Sequence, residues 1–287
     1  MTDPAEMVIS PAALSRLLQR RGVRLRKELG QHFLVDEEVR RCIVEAAAPA
    51  EGEAAVEVGA GVGTLTLPVA RLVGRLWAVE VDPRLAAILR EHLRAFRNVE
   101  VVEGSFLDLG LAALGQDLLV VGNLPYQITS LTLAKLLRER GAVGRAVLMV
   151  QREAAGKLLA PPGPRTSRLG VHLSAYFHLE LVRRVPCSAF FPPPDVDGAV
   201  IRLARLAQPR IQAPEETFAR LLGSLYGARR KTVRRALAIS LPRRQVDQLL
   251  AKADIDPRVR GEALPLAALD RLAQAIAESG PRVSRGD

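Results

Sequence analysis

Along the first half of the chain, short runs of apolar residues alternate with longer stretches whose apolar positions recur at helical spacing. "AAVEV" (54–58) predicts a short buried strand and "GTLTLPVARLV" (63–73) the helix behind it. "RLWAVEV" (75–81) predicts a second strand. "DPRLAAILREHLRAF" (82–96) predicts a helix with Asp82 at the N-cap and Pro83 in the first turn, where a missing N–H leaves no bond unmade. "VEVVEG" (99–104), "DLLVVGN" (117–123) and "AVLMVQ" (146–151) predict three more strands, with a helix over "SLTLAKLLRERG" (130–141) closed by Gly141. Strand–helix repetition of this kind predicts an α/β fold, a mostly parallel sheet covered on both faces.

The pattern changes near residue 160. "APPGPRTSR" (160–168) reads as a loop and "LGVHLSAYF" (169–177) as a helix. "ELVRRVP" (180–186) and "GAVIRLARL" (198–206) read as two more strands around "CSAFFPPPDVD". From "AQPRIQAPEE" onward the pattern is helical. A linker over 207–214 then separates a sheet domain, 1–208, from an all-α domain, 209–287.

Composition narrows the class. The chain has 287 residues, 48% of them apolar, enough for a full core and a small second domain. "MTDPAEMVIS" carries early acids and lacks a signal-peptide core, and no apolar run approaches a membrane span. Cys42 and Cys187 have no CxxC spacing, and His32, His92, His172 and His178 form no metal-ligand pattern. A cytoplasmic, monomeric protein without a metal is expected. The net charge of +10 and a pI of about 10.5 point to a polyanionic partner. The excess is concentrated in "RLLQRRGVRLRK" (16–27) and "ARRKTVRR" (228–235), both rich in arginine, whose planar guanidinium suits phosphate.

The first strand runs into "EVGAGVGTL", with Glu57, Gly59, Gly61 and Gly63. Glycines after a buried strand let the backbone turn tightly and approach a ligand. Glu80 ends the next strand, about twenty residues on, where an acid holds ribose hydroxyls. The GxGxG spacing and an acid before the first glycine favour S-adenosylmethionine over a dinucleotide, the acid meeting the cationic methionine end. No downstream pattern suits hydride transfer.

The fourth strand ends in "NLPY": Asn123, Leu124, Pro125, Tyr126. In this topology it ends beside the glycine loop. An exocyclic adenine amine is a poor nucleophile because its lone pair is delocalised into the ring. The Asn123 side-chain oxygen and the Leu124 carbonyl each accept an N6 hydrogen in this reading and aim the lone pair at a methyl donor. Pro125 stiffens the turn, and Tyr126 stacks on the base.

Together, "ELGQHFL" (28–34), "EVGAGVGTLT" (57–66), "NLPY", "SAFFPPPDVDGAVIRL" (188–203) and "ARRKTVRRAL" (228–237) resemble the small-subunit ribosomal RNA adenine dimethyltransferases (the KsgA family), over roughly residues 24–265. The resemblance implies a Rossmann-like class I methyltransferase domain with a seven-stranded sheet and a small helical RNA-binding domain. It implies methyl transfer from S-adenosylmethionine to the N6 amines of two adjacent adenosines in the 3′-terminal hairpin of 16S rRNA, on the 30S particle. His32, Leu34, Gly59, Glu80, Ser105 and Asn123 would hold the cofactor. Phe190 would sandwich the flipped adenine opposite Tyr126. Ser105 stands where the family has an acid, so its hydroxyl, a backbone N–H or Asp108 would contact the cofactor adenine. Arg229, Arg230, Lys231 and Arg234 would bind RNA phosphates. A large-subunit rRNA methyltransferase and a non-catalytic RNA-binding relative stay open.

Overall fold

The computed structural model describes residues 10–26 and 30–279. Of the segments singled out above, residues 1–9 and Lys27, Glu28 and Leu29 lie outside the described residues. The chain divides into two compact units, Met1–Ala155 with His178–Arg205, and Gly156–Phe177 with Leu206–Asp287.

The first unit is built on a seven-stranded sheet. Its strands are β2 (Ala54–Val58), β3 (Arg75–Glu80), β4 (Val99–Glu103), β5 (Leu118–Asn123), β6 (Val143–Gln151), β7 (Phe177–Val185) and β9 (Gly198–Arg205). They lie in the order β4-β3-β2-β5-β6-β9-β7. The pairs β4/β3, β3/β2, β2/β5 and β5/β6 are parallel, and β6/β9 is antiparallel. This is the expected Rossmann-like sheet. Strand order reverses at β2, so a crevice opens at the carboxyl ends of β2 and β5. Gly122 lets those two strands close up, since a Cβ there would lie 2.7 Å from the Val58 carbonyl oxygen.

The helices of this unit are α1 (Pro11–Arg20), α2 (Glu37–Ala47), α3 (Thr66–Ala70), α4 (Pro83–His92) and α5 (Thr129–Arg138), followed by α6 (Arg152–Leu158) at its boundary. Asp82 caps α4 as expected, its carboxylate accepting the Arg84 N–H at 3.0 Å. Three predicted helices are shorter than their apolar pattern. α3 starts at Thr66 rather than residue 63 because Gly61 and Gly63 adopt φ of +59° and +100°, which keeps this stretch in the loop. α4 ends at His92, with Leu93 as its cap. α5 ends at Arg138, with Glu139 rather than Gly141 closing it. Glu139 is drawn back by Lys135 at 2.5 Å and the Leu111 N–H at 2.8 Å.

Over its described part the basic N-terminal stretch includes the helix α1. Ser10 caps α1, and Leu14, Leu18 and Val23 form a buried cluster with Phe33, Val62, Leu85 and Ile88. A two-stranded ribbon joins β1 (Phe33–Leu34) to β8 (Phe190–Phe191), antiparallel, with Phe33 opposite Phe191 and Leu34 opposite Phe190.

The second unit holds α7 (Arg168–Ser174), α8 (Glu215–Gly227), α9 (Val233–Leu237), α10 (Arg243–Lys252) and α11 (Leu266–Glu278) around Phe218, Leu222, Leu225, Leu249, Leu269 and Leu272. The stretch read as a linker is pinned in this unit. The Leu206 and Arg210 N–H groups bond the Tyr176 and Ala175 carbonyls, and Asp270 Oδ1 accepts from Gln212 and Ala213 at 2.9 Å each. Among the described residues, no helix is long and apolar enough to cross a membrane.

Candidate active site

The crevice at the ends of β2, β3 and β5 is lined by His32, Phe33, Glu57, Gly59, Gly61, Glu80, Ser105, Asn123 and Pro125, among others. Its floor is the glycine loop. Gly61 must be glycine twice over: its φ is +59°, and a Cβ would lie 2.9 Å from the Phe33 ring. Glu80, 5% exposed, organises the loop. Its Oε2 accepts the Gly61 N–H at 2.7 Å and its Oε1 the Asp82 N–H at 2.8 Å. Each oxygen retains a lone pair for a hydroxyl donor. Burial raises the Glu80 pKa, against the pull of these N–H groups. His92 Nδ1 donates to the Val62 carbonyl at 2.9 Å and holds the loop from its other side.

Glu57 is 2% exposed, and its Oε2 has no hydrogen-bond partner. Burial pushes its pKa up to about 8 against the pull of the Thr66 hydroxyl, and the neighbouring Glu80 charge adds to the rise. Asp82 behaves oppositely. The Arg84 guanidinium holds its carboxyl well below the usual range, with help from the Gln31 amide at 2.9 Å. Gln31 also accepts the Arg26 N–H at 2.7 Å, so this one side chain ties the basic segment to Asp82 beside the crevice. No pattern in the sequence singled out Gln31, though it lies within "GQHFL".

A cationic, adenosine-bearing cofactor fits these residues. An orphaned buried carboxylate oxygen suits the positive methionine end. A loop without room for a side chain at Gly61 suits close approach, and Glu80 keeps acceptors for ribose. Ser105 lines the crevice and its Oγ accepts the Leu107 N–H at 3.2 Å, leaving the hydroxyl proton to donate. Asp108 is exposed and does not line the crevice. Leu34 is 1% exposed in the main hydrophobic core, and its neighbour Phe33 lines the crevice.

β5 delivers Asn123 to the crevice edge. Its Nδ2 donates to the His32 carbonyl oxygen at 2.6 Å. A carbonyl only accepts, so the amide orientation is fixed and Oδ1 is left as an acceptor. The Leu124 N–H bonds the Met149 carbonyl at 3.1 Å, and Pro125 carries the chain into the turn at φ −55° and ψ 133°. Tyr126 is half-buried, its hydroxyl donating to the Val196 carbonyl at 3.4 Å and its ring 6.3 Å from that of His32. Phe190 is 4% exposed and belongs to the main core, with its Cζ 3.4 Å from where a Cβ on Gly198 would stand.

The basic segment is a turn and a short helix rather than one helix, because Thr232 caps α9 at Val233. Arg229 donates to the Pro164 and Thr166 carbonyls at 2.6 and 3.0 Å and lies over the Tyr226 ring. Arg234 forms a two-pronged pair with Asp247 at 2.6 and 2.7 Å. Arg230 and Lys231 are exposed in the turn. Among the described residues, no cluster of three or more His, Cys, Asp or Glu could hold a metal ion.

Comparison with known proteins gives concordant matches. The family model described as ribosomal RNA adenine dimethylase matches residues 22–278. A ribosomal RNA small subunit methyltransferase A of Geobacillus thermodenitrificans (strain NG80-2) is 36% identical over 283 residues, 94% of this chain and 97% of its own. One from Pelotomaculum thermopropionicum is 36% identical over 291 residues, 96% and 99% of the two chains. Among solved structures, the 23S rRNA methyltransferase ErmE superposes with a TM-score of 0.71 at 30% identity, over 85% of this chain and 99% of its own. A dimethyladenosine transferase from Plasmodium falciparum gives a TM-score of 0.78 at 23% identity, over 87% and 98%, a likeness of fold.

Proposed function

The chain belongs to the ribosomal RNA adenine dimethylase family, and we propose that it dimethylates the N6 amines of two adjacent adenosines in the hairpin near the 3′ end of small-subunit (16S) rRNA. Family membership makes it an S-adenosylmethionine-dependent rRNA adenine methyltransferase. The small-subunit target draws its support from relatives named for that subunit, which match nearly the whole chain.

The cofactor, when bound, supplies an electrophilic methyl group on a sulfonium. The chain contributes position and polarity. Glu57 faces the cationic end, Glu80 accepts from the ribose hydroxyls, Gly59 and Gly61 admit close backbone approach, and Ser105 meets the adenine edge. The observation that carries the reading is the tethered Asn123 amide, whose Oδ1 is left as a hydrogen-bond acceptor. An N6–H bonded to Oδ1, with the second N6–H on the Leu124 carbonyl, withdraws the amine lone pair from the ring and aims it at the methyl group. Tyr126 gives the base a stacking face. Arg230 and Lys231 meet phosphates. The enzyme acts on the 30S particle, as a monomer in the cytoplasm.

The test is incubation with methyl-labelled S-adenosylmethionine and unmodified small subunits, with large subunits in parallel, followed by mapping of the label and mass analysis of nucleosides. Dimethyladenosine at two neighbouring positions of small-subunit rRNA is expected. Label confined to large-subunit rRNA, or absent from both, overturns the proposal.

A further inference from the structure

We infer that Arg40 is the receptor for the carboxylate at the amino-acid end of the cofactor. The inference deepens the function proposed above and rests on its choice of S-adenosylmethionine. Arg40 stands on α2 and is 8% exposed. An arginine is rarely buried so deeply unless acceptors surround it. Among the described residues, they do not. Nη1 donates to the Thr64 carbonyl at 3.4 Å, the long limit of a hydrogen bond, and Nε is buried without a partner. Burial lowers the Arg40 pKa, and the charges of Glu37 and Asp36 resist the fall without either forming an ion pair with it. A buried cation with unused donors is costly in the free protein and is relieved when an anion arrives.

The crevice points to which anion. Thr64, whose carbonyl meets Arg40, lines the crevice beside Leu65, Glu57 and Gly59, and Arg40 stands behind that wall. Among the described residues, the lining holds two carboxylates, Glu57 and Glu80, and no lysine or arginine. The amino-acid end of the cofactor is a zwitterion, so one pocket has to take an ammonium and a carboxylate together. Glu57, with its orphaned Oε2, suits the ammonium. A carboxylate placed beside those two acids alone is repelled, and a guanidinium behind Thr64 offsets the repulsion. The planar fork of arginine also matches a carboxylate. Arg40 then exchanges a long bond to a neutral carbonyl for a charge-assisted one. A phosphate of the RNA strand is the poorer fit, because it would have to shed its water to enter a site this buried.

Decarboxylated S-adenosylmethionine isolates the contact, since it keeps the sulfonium and the amine and lacks the carboxylate. Calorimetry measures the affinity of wild type, Arg40→Met and Arg40→Lys for the parent cofactor and for the decarboxylated form. Wild type should bind the decarboxylated form about tenfold more weakly than the parent, the scale of one charge-assisted hydrogen bond. Arg40→Met should bind the parent about tenfold more weakly than wild type does and the decarboxylated form equally well, so that the preference disappears. Arg40→Lys, which keeps the charge and loses the fork, should retain part of the preference. Equal losses for both ligands in Arg40→Met overturn the inference, because Arg40 then acts by bracing the Thr64 turn. Unchanged affinity for the parent overturns it as well, the carboxylate being held by other groups. Should Arg40→Met fail to fold, wild type alone decides, and indifference to the carboxylate overturns the inference. Wild type that binds neither ligand sinks the cofactor reading on which the inference rests.

Discussion

At the scale of single residues, the buried carboxyl of Glu57 couples pH to both folding and cofactor binding. Its folded-state pKa of about 8 lies above the ordinary 4.5, because burial penalises the charge. A raised folded pKa contributes stability that is complete below the unfolded value and is lost as pH rises through about 8. The free protein should therefore lose thermal stability across that window, while Glu57→Gln, which cannot ionise, should show a flatter profile; a decline as steep in the variant assigns the effect to another group. A cation beside Oε2 favours the carboxylate, so cofactor binding below about pH 8 should release a proton and tighten as pH rises. Calorimetry in buffers of different ionisation enthalpy counts that proton, and none should be released by Glu57→Gln. Asn123 acts on rate rather than affinity. Asn123→Ala should slow single-turnover methylation about a hundredfold, the scale of one preorganised polar group at a transition state, with cofactor affinity nearly intact. Asn123→Asp keeps an acceptor but sets an oxygen against the His32 carbonyl where Nδ2 now donates, and it should not restore the rate. Dimethylation at full speed by Asn123→Ala would remove the amide from the mechanism.

At the scale of elements, the glycine loop and the β1/β8 ribbon are one construction. The Phe33 ring of β1 lies where a Cβ on Gly61 would go, and the same ring packs with Leu14 and Leu18 of α1. Gly61→Ala combines a clash with a left-handed backbone that costs about 1–3 kcal/mol for a residue with a side chain. It should lower the urea midpoint and weaken cofactor binding. Adding Phe33→Leu should restore part of the binding by relieving the clash and little of the stability, since the backbone strain remains. Recovery of neither would place the defect elsewhere in the loop. The same elements show where the sequence was readable. β2, β3 and β5 are short, mostly apolar runs buried along nearly their whole length, and their signal is local. β1 and β8 are two residues each, too short for any period, and their pairing joins residues about 160 positions apart. α1 carried its signal as charge, which masked the Leu14 and Leu18 face that docks it. α3 and α5 kept their apolar pattern beyond their hydrogen-bonded turns, because loops beside a helix bury the same residue types. That Glu57, Glu80 and Asn123 meet at one crevice was legible, because they are polar groups at the carboxyl ends of strands that the topology sets side by side. The burial of Leu34 and Phe190 was not, since it depends on the ribbon.

At the scale of the whole molecule, a chain with a net charge of +10 could bind a polyanion through any of its many arginines, yet the fold already engages some of them. Arg229 is spent on the Pro164 and Thr166 carbonyls, and Arg234 on Asp247. A guanidinium engaged in two hydrogen bonds has fewer donors for phosphate, and Arg234 is also offset by the charge of its partner. All four are exposed, Arg230 and Lys231 in the turn before α9. The four basic residues should therefore divide into two pairs. Every phosphate that the protein no longer neutralises lowers the slope of log affinity against log salt by about 0.7 to 0.9. Arg230→Ala with Lys231→Ala should weaken binding to small-subunit RNA and flatten that slope, with cofactor affinity and thermal stability unchanged. Arg229→Ala should lower the stability of the helical unit, because the loop it holds loses two donors, and should leave the slope close to wild type. Arg234→Ala frees the Asp247 carboxylate, whose pKa the Arg234 guanidinium now holds low. It should add a small repulsion toward RNA without changing the number of phosphates neutralised. Binding titrations at several salt concentrations, alongside thermal melts, separate the pairs. Should Arg229→Ala and Arg234→Ala flatten the slope as much as the turn variants do, the internal bonds open on RNA binding, and all four residues belong to the phosphate-binding surface.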